Sequence, residues 1–256
     1  VRALSVPIVA LLAAATVYPT GCASAISAVF DDFSGPEGAA PNPAWWSYVT
    51  GGNWDIGSET YRTGNAVLDG AGNLAIRAEE TDGRYVSGRV QTKNKLSLGY
   101  GTTTARIKMP SGQGLWPAFW LVGADEDKVG YPEAGEIDVI ELVSDATTYH
   151  STIHGPKSGG AEPYQVDFEG PTPDLSTDFH EYWVRHAPDE ITVGIDQTTL
   201  GTFTPQSLPA GARWVYNRPM YAILNLAVGG DWAGPPDGST RFPATMLIDW
   251  LRWEPL

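Results

Sequence analysis

Three carboxylates fall within the segment Gly135-Glu136-Ile137-Asp138-Val139-Ile140-Glu141-Leu142-Val143. Grouped carboxyl groups can divide the work at an anomeric carbon: one attacks it while another protonates the departing oxygen, the pair then standing roughly 5–5.5 Å apart. The flanking residues are apolar and β-branched, so the segment reads as a strand, and alternation puts Glu136 and Asp138 on one face. A regular strand would turn Glu141 to the other face. One extra residue at Val139 or Ile140, taken up as a β-bulge, returns it beside its neighbours. The plainer reading is a solvated strand face bearing Glu136 and Asp138, with Glu141 directed away from them. If the three do share a face, their repulsion is expected to leave at least one protonated near neutral pH, as a general acid requires.

Elements able to position such a strand are visible on either side of it. Short β-branched and aromatic runs alternate with turn residues, as in Asn73-Leu74-Ala75-Ile76-Arg77 after Asp69-Gly70-Ala71-Gly72, and no segment shows a sustained helical period. The 29 Gly and 20 Pro suit tight connections and oppose helices. This pattern predicts an antiparallel sandwich, and 256 residues with 42% hydrophobic content suffice for one buried core in one domain. Ten tryptophans are available, most of them expected in the core and the others as platforms for sugar rings.

Residues 1–28 carry a charge at Arg2, an apolar run from Val6 to Val17 and a small-residue stretch to Ala25, the layout of an export signal rather than a membrane span. Ordinary cleavage after Ala23-Ser24-Ala25 competes with lipid attachment at Cys22, with Pro19 disfavouring the second. The expectation is a secreted chain whose residues 29–256 form a single domain and act as a monomer. Cys22 is the one cysteine, so thiol chemistry and disulfides are excluded from that domain. Without residues 1–28 the chain has 15 basic and 30 acidic residues, a net charge of −15. Such a surface repels nucleic acid and anionic membrane and suits a neutral substrate, although solubility alone would also account for it.

With these residues in view, the chain resembles glycoside hydrolase family 16, and in particular its laminarinase-like members, which carry Glu-x-Asp-x-x-Glu on a bulged strand. Here that motif is Glu136, Asp138 and Glu141. The resemblance extends to Phe30-Asp31-Asp32-Phe33-Ser34-Gly35-Pro36, to the block Gly114-Leu115-Trp116-Pro117-Ala118-Phe119-Trp120, to Leu224-Asn225-Leu226-Ala227-Val228-Gly229-Gly230 and to Ile248-Asp249-Trp250-Leu251-Arg252. It implies an all-β jelly-roll sandwich of two antiparallel sheets with a concave substrate cleft. It also implies a retaining endo-hydrolase of β-1,3-glucan with Glu136 as nucleophile, Glu141 as acid/base and Asp138 supporting both. No cofactor is implied for catalysis.

Beyond the triad, the resemblance places Trp116, Trp120, His154, Arg89, Asn225 and Trp232 as substrate-binding residues. For Trp116, Trp120, His154 and Arg89 a structural role competes with that reading. It further implies a structural Ca²⁺ held by Asp32 and Asp249, two oxygen donors that fall short of the roughly 6–8 such an ion takes. The spacing Glu-x-Asp-x-x-Glu points away from relatives specialised for mixed-linkage glucan or xyloglucan, which have one residue fewer. Ile56-Gly57-Ser58-Glu59-Thr60-Tyr61 departs from the Asn-Glu-Leu-Gln segment of many laminarinases, so contacts to the glycone sugars are expected to differ. Two alternatives stand: a non-catalytic glycan-binding protein of the same architecture, and an enzyme for another β-glucan or a galactan, including transglycosylation.

Overall fold

A computed structural model describes residues 27–52, 57–159 and 162–256. The export segment, Cys22 included, therefore lies outside the described residues apart from positions 27 and 28. So does Ile56 of the departing segment. Among the described residues no helix is long and apolar enough to cross a membrane.

Two sheets pack face to face around an apolar core. One has seven antiparallel strands in the spatial order Tyr164–Pro171, Thr148–Gly155, Glu136–Glu141, Leu115–Gly123, Met220–Val228, Arg89–Gln91 and Ser47–Tyr48. Three of these are called here the histidine strand (Thr148–Gly155), the acidic strand (Glu136–Glu141) and the aromatic strand (Leu115–Gly123). The second sheet runs from Thr198–Phe203 through Glu190–Ile195, His180–Ala187, Gly101–Lys108, Ala244–Pro255 and Leu74–Thr81 to Arg84–Ser87, Glu59–Tyr61 and Gly51–Gly52. This is the expected jelly-roll sandwich, and its long-range pairings explain why neighbours in space are distant in sequence.

Alternation along each strand decides what enters the core. In the aromatic strand Leu115, Phe119 and Leu121 point inward, and in Met220–Val228 so do Leu224 and Leu226. The opposite face of the same sheet carries Trp116, Ala118 and Trp120, each half-buried or small. Phe119 is wholly buried between the sheets. Phe119→Ala is expected to cost about 3–5 kcal/mol through lost burial and the cavity left behind, read as a lower urea midpoint at unchanged slope.

Candidate active site

The acidic strand contains the anticipated irregularity. Trp120 pairs with Asp138 and Phe119 with Ile140, so Val139 is the extra residue on that side. Towards the histidine strand the register steps from Asp138↔Thr152 to Glu141↔His150, leaving Ser151 opposite both Val139 and Ile140. Two successive side chains, Val139 and Ile140, thus enter the core together with Ile137. As a result Glu136, Asp138 and Glu141 share the outer face, opposite His154, Thr152 and His150 respectively. Gly135, at φ +75, feeds the chain into this strand, and a Cβ there would approach Val215 Cγ2 to 2.9 Å. Any other residue would be strained at that turn and crowded as well.

Carboxylate oxygens of Glu136 and Asp138 and a ring nitrogen of His154 lie within 4.8 Å of one another. His154 Nε2 is 3.1 Å from Asp138 Oδ2 and 3.9 Å from Glu136 Oε1. The imidazole thus lies within ion-pairing distance of the Asp138 carboxylate when its ring is protonated. The Tyr216 hydroxyl donates to the His154 carbonyl at 2.9 Å, fixing that backbone from the core side. Glu141, 8% exposed, accepts a hydrogen bond from Trp116 Nε1 at 2.8 Å, which gives its carboxyl group a defined orientation. Trp116 in turn meets Trp232 edge to face at 5.0 Å, and Trp232 meets His150 in the same manner. Trp232 is 46% exposed and forms an aromatic wall on the Glu141 side.

Trp120 is positioned from two directions. The Arg89 guanidinium lies 4.7 Å from its ring centroid, and its Nε1 donates to Asn225 Oδ1 at 2.7 Å. Asn225 also donates from Nδ2 to the Tyr61 hydroxyl at 3.1 Å. Asn225 is almost fully buried, so its place is beneath the surface, holding Trp120, rather than on it. Ala118, in register with both Glu141 and Asn225, leaves space between the two indoles.

Several participants carry no motif of their own. Glu59 is buried and accepts from the Val228 N–H at 2.8 Å, tying the departing segment under the face next to Trp116's partner strand. His150 contacts Glu169 at 3.3 Å. Tyr131, about half-exposed on the loop ahead of the acidic strand, has its phenol pushed up to about 12, by partial desolvation first and then by the charges of Glu136 and Asp138. It stays protonated and available as a donor there. That loop is held by Arg218 on Asp125 at 2.8 Å and by Lys93 on Glu126 at 2.7 Å. The only signal in the sequence for these residues was their proximity to quoted motifs.

The calcium expectation does not fit its residues. Asp249 Oδ2 is ion-paired with Arg106 Nη1 at 2.5 Å, and a cation already beside that carboxylate opposes a second one. Asp32 Oδ1 accepts from its own Ser34 N–H. The hollow of about 430 Å³ at the opening strand is lined by Asp32 but not by Asp249. Neither this hollow nor one of about 370 Å³ near His180 touches the triad.

Residues 54–252 match the profile of Glycosyl hydrolases family 16. The chain is 32% identical to a Beta-glucanase of Rhodothermus marinus over 86% of its own length and 81% of that protein. It is 32% identical to Glucan endo-1,3-beta-glucosidase A1 of Niallia circulans over 82% of its length, but spans only 33% of that larger protein. Among solved structures, the laminarinase catalytic domain of Thermotoga maritima superposes with a TM-score of 0.79 at 32% identity, covering 89% of this chain and 97% of that one.

Proposed function

The chain belongs to glycosyl hydrolase family 16, and from that premise we propose that it is an endo-β-1,3-glucanase that retains anomeric configuration. The observation that carries the reading is the two-for-one bulge, which gathers Glu136, Asp138 and Glu141 on one face beside a row of indoles. The names of the relatives support the choice of glucan, and the net negative charge disfavours sulfated polymers.

In this mechanism Glu136 attacks the anomeric carbon while Glu141 delivers a proton to the glycosidic oxygen, releasing the leaving sugar as an alcohol. Glu141, now ionised, takes a proton from water, which displaces Glu136 and regenerates both groups. Asp138 and His154 stand beside Glu136 and orient it. Trp116 both presents an aromatic plane and steadies Glu141. The proposal extends to export through residues 1–28, on the sequence grounds given above, and to action as a monomer.

Incubation with laminarin, mixed-linkage glucan and agarose tests the reading. Short oligosaccharides released first as β-anomers from laminarin are expected; tight binding without products from any polymer would show a glycan-binding protein instead. Trp116→Phe keeps the stacking plane but removes the N–H that meets Glu141. A hydrogen bond to a charged group contributes about 1.5–3 kcal/mol, so kcat on laminarin should drop about 10- to 100-fold with little change in melting temperature. An unchanged kcat would show that the indole N–H does not matter to turnover.

A further inference from the structure

Ser151 sits in the histidine strand at a core-facing position, fully buried, where alternation with Ile153 calls for an apolar side chain. A buried hydroxyl is unfavourable there unless it is hydrogen-bonded. Its hydroxyl donates to the carbonyl of Val139 at 2.5 Å. Val139 is the extra residue of the bulge, and Ser151 is the residue that faces the bulge from the adjoining strand. Bulging disrupts the ladder locally, so a backbone acceptor at that point needs a partner from elsewhere.

We propose that Ser151 is a positioning residue for the reaction: its hydroxyl holds the Val139 carbonyl, selects the bulged pairing over a regular one, and so fixes where Glu141 stands relative to Glu136. The alternative pairing is costly to function because a one-residue slip turns a side chain to the opposite face. Here the slip would carry Glu141 away from Trp116 and from the other two carboxylates. The inference rests on Glu141 being the acid/base.

Ser151→Ala removes a single oxygen from the core, and Ser151→Thr keeps the hydroxyl. With laminarin, kcat/KM of the Ala variant is expected to fall about 10²-fold, the scale on which small misplacements of a reacting group act. With a 2,4-dinitrophenyl β-laminaribioside, whose leaving group departs without a proton, kcat/KM should stay within a few-fold of the parent. Ser151→Thr should restore most activity on laminarin. Equal losses on both substrates, or no loss on either, would overturn the proposal, as would a Thr variant no better than Ala. If the Ala variant does not fold, Ser151→Cys, similar in size with a weaker donor, carries the same comparison. Glu141→Gln is run alongside: if its kcat/KM falls equally on both substrates, the acid/base assignment itself has failed, whatever Ser151 does.

Discussion

Glu136→Gln is expected to lower kcat on laminarin by about 10⁴-fold or more, the scale seen when an attacking group is removed from a catalytic set. The amide is nearly isosteric and can keep hydrogen bonds, but it cannot form the acylal link to the anomeric carbon. Folding should be little affected because Glu136 is partly exposed on the outer face of its sheet, outside the apolar core, and the amide keeps its size and shape. The melting temperature should confirm this. A sharper check uses Glu136→Gly with sodium azide, whose anion fits the vacated space and attacks in place of the carboxylate. The product should be an α-glycosyl azide, by one inversion; a β-azide would assign the nucleophile to another residue.

Glu141→Gln should lose about 10²- to 10⁴-fold on laminarin, the usual contribution of a positioned proton donor. On the dinitrophenyl substrate the first step needs no proton, so a rapid burst of phenolate is expected, followed by slow turnover because water lacks its base. Azide should speed that second step and give a β-glycosyl azide. Absence of a burst together with a β-product from Glu136→Gly would reverse the two assignments. The Trp116 hydrogen bond makes this variant informative about structure as well, since the Gln side chain can still accept from the indole N–H.

How far the site could be read beforehand follows from what alternation conveys. Alternation alone put Glu136 and Asp138 on one face; Glu141 joined them only through a bulge, which the resemblance favoured and which the structure puts at Val139, one of the two positions expected. Trp116 and Trp120, four positions apart, fall on one face by alternation, and both are there. The partners of these residues were not legible, since they depend on pairing between strands far apart in the chain. Tyr61 reaches Asn225 across 164 positions, and Glu59 reaches Val228 across 169. Asn225 could be assigned to the site, but not to a buried place within it. Asp249 entered as a ligand through the resemblance alone, and Arg106, its partner across 143 positions, could not be seen beside it in the sequence.

The bulge also bears on how such a sheet can change over generations. Within most strands a one-residue insertion or deletion would invert every side chain beyond it and ruin the packing. At Val139 the extra residue is already out of the alternation, so its removal would leave Glu136, Asp138 and the following glutamate at regular spacing, still on one face, and the rest of the strand undisturbed. A single in-frame codon loss therefore separates two working layouts of the same three acids. The strand can thus alter the spacing of its reactive groups while the pairing on either side of Val139 keeps its register.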